Sequence, residues 1–316
     1  MRLDIGLIGA TGIAERAIVG PASRRDDVHV LAVAASDPVR AREFAARNGI
    51  KRVHENYDAL VRDPDINVVY VSLHNSAHHE WAVRAASQGK HVVVEKPLCL
   101  TTEEFASLES AASTHGVHVV EAIPTAGHPW QAAVREIVSA GEFGALQRIH
   151  TRIQFLPPTA GSYRTRPELG GGIFFDSASY WLQAVQSTIG LDGAIGTGES
   201  AFDGPNGTDT AFQAELNWKD GREATLDCSI GGKHIAEVEF LFTTASVRVR
   251  NLLRPVAAPL PLNLSIKGSK NEIRSFPPIA YYEAQLDRLF TVQDKPAERI
   301  ALMAGIYATA RGALVR

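Results

Sequence analysis

Apolar and polar positions follow two different rhythms along this chain. From Leu3 to Ala122, short aliphatic runs alternate with amphipathic stretches. Leu3–Ile8, Val28–Ala34, Val68–Ser72, His91–Val94 and Val117–Ala122 read as strands, and Val92-Val93-Val94 as a central one covered on both faces. Between them, the Arg- and Ala-rich stretch after Asp37, the short Tyr57 to Leu60, Glu80 to Gln88 and Thr102 to Thr114 read as helices. Gly89 and Gly116 close the last two. Strictly alternating strands and helices predict a doubly wound parallel sheet. After Ala122 the rhythm changes. A helix is expected over Pro129 to Ala140, then an alternating strand over Leu146 to Phe155. Another helix opens at Gly170-Gly171-Gly172 and runs through Gln186. Strands follow at Thr210 to Trp218, Glu223 to Ile230, Ile235 to Phe242 and Ser246 to Asn251, the first two joined by a turn at Lys219-Asp220-Gly221. Helices near Tyr281 to Val292 and Ala297 to Leu314 finish the chain. Two domains are therefore predicted, an α/β unit over 1–122 and an α+β unit over 123–316 with a large, open, mainly antiparallel sheet. That sheet exceeds what its few helices can cover. An exposed apolar face, and with it a homodimer or homotetramer, is expected.

Composition narrows the function classes. The 316 residues are 45% hydrophobic and 21% charged, an ordinary globular balance. A net charge of −3 argues against a nucleic-acid partner. Only Cys99 and Cys228 occur, so disulfide scaffolds and cysteine metal sites drop out. No stretch approaches a membrane span, and the apolar run near the amino terminus is too short for a secretory signal. A cytoplasmic location is expected.

Candidate chemistry gathers where the first four strands end. Gly9-Ala10-Thr11-Gly12-Ile13-Ala14 follows the first strand directly, where glycines let a backbone approach a diphosphate and a helix start offers free N–H groups. Against the usual G-x-G-x-x-G/A pattern, Thr11 stands at the second position. The second strand ends in Ala35-Ser36-Asp37, with no carboxylate at Ala35 to hold ribose hydroxyls. Ser36 and Arg40 can instead receive a 2′-phosphate, which favours NADP; Asp37 keeps NAD open. After the third usual strand come Leu73-His74-Asn75-Ser76-Ala77-His78-His79. No acidic or cysteine ligand accompanies these histidines at metal spacing, so Asn75 and His78 are read as facing a cofactor and no metal is expected. The triple-valine strand ends in Glu95-Lys96-Pro97. There Pro97 stops the ladder, a cis Lys96–Pro97 bond is expected, and Lys96 leaves the sheet in a set direction.

These residues resemble the Gfo/Idh/MocA oxidoreductases (the glucose–fructose oxidoreductase, inositol dehydrogenase and MocA type) over nearly the whole chain. The resemblance rests on the glycine loop, Asn75 and His78, Glu95-Lys96-Pro97, and Glu121-Ala122 with His128-Pro129. It continues in Gly170-Gly171-Gly172 with Asp176-x-x-x-Tyr180, and in Tyr282-Glu283-x-Gln285. It implies a Rossmann domain for NADP or NAD and a substrate domain whose open sheet carries oligomer contacts. It also implies hydride exchange with sugars, cyclitols or related polyols. Lys96 matches the family's active-site lysine, Asp176 its active-site acid, and Tyr180 the position of its Tyr or His. Gly9, Thr11, Gly12, Ile13, Ser36, Arg40, Leu73, His74, Asn75, His78, Glu95 and Lys96 are the expected cofactor contacts. The physics is compatible: Asp176 and Tyr180 are four apart on one helix face, and a neighbouring ammonium makes a phenol of pKa about 10 a usable base. Two departures bear on substrate and nicotinamide pocket. Ile123-Pro124-Thr125-Ala126-Gly127 replaces the usual Met-Tyr-Arg segment, and Leu73 replaces the more usual proline. His128 and Arg164 are the remaining candidates for substrate contact, although Arg164 and Arg166 read more readily as solvated loop charges. Two further functions fit the resemblance. One uses bound NAD transiently for elimination or glycoside cleavage, and the other is an inactive cofactor-binding regulator.

Overall fold

The computed structural model describes residues 2–289 and 295–313. It forms two compact units, residues 1–122 with 282–296, and residues 123–281 with 297–316. The first is built on β1 (Leu3–Ile8), β2 (Val28–Ala34), β3 (Arg52–Val53), β4 (Val68–Val71), β5 (His91–Glu95) and β6 (Val119–Ala122). These lie in the order β3-β2-β1-β4-β5-β6, with every neighbouring pair parallel. That is the order of dinucleotide-binding folds, whose ligands sit at the carboxyl edge where the winding reverses, here between β1 and β4. All four residues of β4 are buried, as are Val92, Val93 and Val94 of β5, because helices cover both faces.

The two-residue β3 escaped the sequence reading, being too short to show a period. The helix expected near Tyr281 to Val292 is present over Tyr281–Arg288; residues 290–292 lie outside the described residues, as does Leu314. The segment from Tyr282 joins the first unit, where Arg24 Nε meets Glu283 at 2.6 Å and Arg25 pairs with Asp287.

The second unit carries β7 (Leu146–Phe155), β8 (Ile195–Glu199), β9 (Ala211–Asn217), β10 (Glu223–Ile230), β11 (Ile235–Phe242), β12 (Ser246–Arg250), β13 (Leu262–Lys267) and β14 (Glu272–Phe276). Their order is β14-β13-β12-β11-β7-β10-β9-β8, antiparallel except for the parallel pair β7 and β10. On one face, alternate residues such as Ile149, Ile153, Leu226, Val238 and Phe240 are buried. The helix Ile173–Ile189 packs there, with Phe174 stacked on Phe212 at 4.2 Å. Ile306, on the helix Pro296–Ala313, fills the space left by Gly196 and Gly198 of β8.

The other face corrects the expectation of an apolar surface. Its outward positions form cross-strand rows of alternating charge. Arg250, Glu237, Arg152 and Asp227 make one row and Arg248, Glu239 and His150 another, each neighbour in register. Arg148 meets Glu223 at 2.6 Å and Arg248 meets Glu239 at 3.5 Å across adjacent strands. Period-two alternation puts one residue type on each face, and the second type here is ionic.

Candidate active site

In the first unit the site is made by chain turning at the carboxyl edge. Gly9 has φ +108°, and a Cβ on it would lie 2.6 Å from the Ser72 carbonyl oxygen. Only glycine permits this approach of the loop to the end of β4. Thr11, at the position where the usual pattern has glycine, has two tasks. Its Oγ1 accepts the Ala14 N–H at 3.1 Å and shares a hydrogen bond with Ser72 Oγ at 2.9 Å. It caps the helix and ties the loop to β4. Gly12 is exposed, with nothing within 4 Å of the place a Cβ would take, so the helix start presents an open backbone surface. Ile13 beside it is half-buried. That cradle suits a dinucleotide's diphosphate.

At the end of β2, Ala35 is buried while Ser36 and Arg40 are exposed. Asp37 caps the next helix, its Oδ1 accepting Val39 N–H at 2.8 Å and Arg40 N–H at 3.4 Å. One oxygen of that carboxylate is thus committed to the backbone rather than to a ligand.

After β4, Leu73 and His74 are half-buried, and Asn75 opens a buried turn. His78 is placed differently from its sequence reading. It is buried, with Nδ1 2.8 Å from Pro97 O and Nε2 3.2 Å from Leu73 O. Burial pushes its pKa down to about 4, so the ring is neutral near pH 7 and has one N–H to give. The shorter contact assigns that hydrogen to Pro97. His78 therefore braces the β4 loop against the turn after β5. That turn contains the cis Lys96–Pro97 bond. Tyr70 donates its hydroxyl to Glu95, whose pKa burial raises, and Glu121 accepts Leu98 N–H at 3.3 Å. Lys96 is half-buried at the rim.

The second unit brings Asp176, Tyr180 and Arg164 together. Asp176 is buried in the first turn of the helix Ile173–Ile189, and Tyr180 lies one turn on, half-buried. Arg164 Nε donates to Asp176 Oδ2, and its guanidinium lies 4.8 Å from the Tyr163 ring centre. Burial works against the Arg164 charge, yet Asp176 holds its pKa above the ordinary value. Arg164 is thus an ion-pair partner and not a solvated loop charge. The glycine run explains the pairing. Gly171 donates to Arg166 O at 3.0 Å and Gly172 to Arg164 O at 2.9 Å, folding the Arg164 loop over the helix start.

His128 is buried elsewhere in this unit. Its Nδ1 accepts Trp130 N–H at 3.2 Å, capping the helix Pro129–Ala140, and its ring packs edge-on to Phe276 and Tyr281. Sequence reasoning missed Ser72 and Asp209, both buried polar residues that fix these turns. The signal for Ser72 was its place one residue after a wholly apolar strand. Among the described residues, no group of three or more His, Cys, Asp or Glu side chains is placed to hold a metal. No helix among them is long and apolar enough to cross a membrane.

Two family models match the chain. The GFO_IDH_MocA oxidoreductase family, with its NAD-binding Rossmann fold, covers residues 3–122, and the GFO/IDH/MocA C-terminal domain covers 131–248. An uncharacterized oxidoreductase of Rhizobium meliloti is 32% identical over 291 residues, spanning 90% of this chain and 86% of that one. The chain belongs to the Gfo/Idh/MocA oxidoreductase family. A further relative is D-xylose 1-dehydrogenase (NADP(+)) 2 of Haloferax volcanii, 31% identical over 226 residues, 71% of this chain and 68% of the relative. Among solved structures, a 3-ketoreductase of Actinomadura kijaniata, in complex with NADP and TDP-benzene, superposes with a TM-score of 0.88. Its identity is 23%, over 99% of this chain and 98% of that one. The two-sheet architecture is therefore the one that solved reductase has.

Proposed function

We propose that this Gfo/Idh/MocA protein transfers hydride between NADP(H) and the secondary alcohol or ketone of a sugar, cyclitol or related polyol. The observation that carries the reading is that Gly9, Gly12, Asn75 and Lys96 all lie at or just beyond the carboxyl ends of adjacent strands β1, β4 and β5. Ligands bind at that edge of an open parallel sheet. Relatives named as an NADP-dependent xylose dehydrogenase and, in Ensifer adhaerens, a 1,5-anhydro-D-fructose reductase support the substrate class.

Bound nicotinamide supplies or accepts the hydride. The chain's own residues handle the proton. Tyr180 exchanges the substrate's hydroxyl proton, Lys96 hydrogen-bonds the same oxygen and favours the phenolate, and Asp176 orients a substrate hydroxyl. Arg164 pairs with Asp176 and keeps its carboxylate aimed. Thr11, Gly12, Ile13, Leu73, His74 and Asn75 line the cofactor's place, with Glu95 and His78 holding its walls. Consumption of NADPH with keto-sugars, or its formation from NADP⁺ with sugars and cyclitols, tests the reading. Elimination or glycoside cleavage without net turnover of free cofactor would replace it.

NADP(H) is expected to bind more tightly than NAD(H), because Ser36 and Arg40 are open to a 2′-phosphate where Ala35 offers no carboxylate. Calorimetric titration of both cofactors decides this, and an NAD⁺ dissociation constant at or below that of NADP⁺ refutes it. A homodimer or homotetramer formed on the charged sheet face is also proposed, since alternating rows can pair with a second copy's opposite rows. Light scattering should give a multiple of the chain mass at micromolar concentration, falling as salt is raised. A monomer mass at low salt rules it out. A cytoplasmic setting suits an NADP(H) enzyme with two buried thiols.

A further inference from the structure

The helix Ile173–Ile189 begins without a cap from its own chain segment. Gly172 fills the cap position at φ 115°, and the first free N–H groups are met from a distant segment. Ile173 N–H donates to the main-chain oxygen of Asp209 at 3.0 Å. Phe174 N–H donates to Asp209 Oδ2 at 2.7 Å. Asp209 is fully buried, at 0% exposure. A side chain at position 172 would put its Cβ 1.9 Å from Asp209 Oδ1, so the last glycine of the run is glycine because Asp209 occupies that space.

The segment leading to Asp209 is tied on both sides. Asn206 Nδ2 donates to Thr165 O at 2.8 Å, and Arg311 Nη2 donates to Gly207 O at 3.2 Å. Thr165 follows Arg164, the partner of Asp176. One short segment thus grips the start of the helix that bears Asp176 and Tyr180, and also the loop that supplies Arg164. Buried carboxylates rarely persist without such work. Burial pushes Asp209 up to about 7 against the backbone donors that favour its charge.

We propose that Asp209 is a positioning residue for the reaction, fixing the helix start from which Asp176 and Tyr180 act on substrate. This rests on the roles proposed above for those two residues. The experiment compares Asp209→Ala, Asp209→Asn and Tyr180→Phe with the unaltered protein. It reads steady-state NADPH turnover on the best keto-sugar found, NADP⁺ affinity by calorimetry, and amide hydrogen exchange over residues 172–177. Asp209→Ala should lower kcat by about 10- to 100-fold, the scale of a misplacement near 1 Å. NADP⁺ affinity should stay within about twofold of normal, and exchange over 172–177 should quicken. Asp209→Asn should recover most of kcat, because its amide oxygen still accepts the Phe174 N–H.

Normal kcat or unchanged exchange in Asp209→Ala overturns the proposal. So does Asp209→Asn as impaired as the alanine variant, or cofactor affinity falling in step with kcat. Faster exchange together with a harmless Tyr180→Phe sinks the proposal through its premise, a pattern distinct from unchanged exchange. Should Asp209→Ala not fold, Gly172→Ala takes its place, since the added Cβ displaces the carboxylate; retained kcat and exchange there overturn the proposal equally.

Discussion

Tyr180→Phe is expected to lower kcat by about 10²–10⁴-fold while leaving NADP⁺ affinity nearly unchanged. A secondary alcohol that loses hydride must also lose its hydroxyl proton, and phenylalanine cannot take it. Tyr180 lies one helical turn beyond Asp176, whose carboxylate is anchored by Arg164. The helix stays in place without the hydroxyl, so the loss should fall on the chemical step. Lys96→Met should cost at least as much, because it removes the charge that favours the phenolate and a hydrogen-bond donor to the reacting oxygen. The two effects should be far from additive, since the proposed roles put both residues on one proton. Single-turnover hydride transfer in both single mutants and the double mutant measures this. Near wild-type rates in both single mutants would show that the roles are wrongly assigned.

The second large effect is expected of Gly9→Ala. Its φ of +108° lies outside the regions open to an L-residue, and the new Cβ would meet the Ser72 carbonyl oxygen at 2.6 Å. Strain of about 1–3 kcal/mol from the backbone adds to about 1–3 kcal/mol from overpacking. Relief requires the β1 loop to move off the end of β4, which breaks the Thr11–Ser72 bond and opens the proposed diphosphate cradle. Thermal unfolding should shift down by several degrees, and NADP⁺ should bind at least about 100-fold more weakly, a loss of about 2.7 kcal/mol. A variant with normal melting and normal affinity would mean that the loop has room this geometry denies it.

Much of this was legible before any coordinates. The apolar β4 and the triple-valine run of β5 pointed to a parallel, twice-covered sheet, and Glu95-Lys96-Pro97 pointed to the cis bond. Other parts were hidden for identifiable reasons. β8 carries two glycines in Ile195–Glu199, which break the alternation, although those glycines are what lets Ile306 approach. β13 does alternate, as Leu262, Leu264 and Ile266, but it follows a proline-rich stretch that obscures its start. The charged sheet face could have been read from Arg148, His150 and Arg152 against Glu237 and Glu239, had alternation been followed on both faces. His78 misled because a histidine after a strand suggests a ligand, whereas its ring donates to the Pro97 carbonyl, a partner that no motif spells out. Asp209 gave no signal at all: its partners stand 35 or more positions away, at the start of another element.

The return of the Tyr282–Pro296 segment to the first unit has a consequence for biosynthesis. The ribosome releases the six-stranded parallel sheet early, yet the carboxylates that meet Arg24 and Arg25 are added only after the whole eight-stranded sheet has been made. The nucleotide-binding unit therefore emerges unfinished and stays so through most of translation. Its last contacts are among the longest in sequence that the chain makes, and closing them late exposes the nascent protein to the slow, non-local stage of folding.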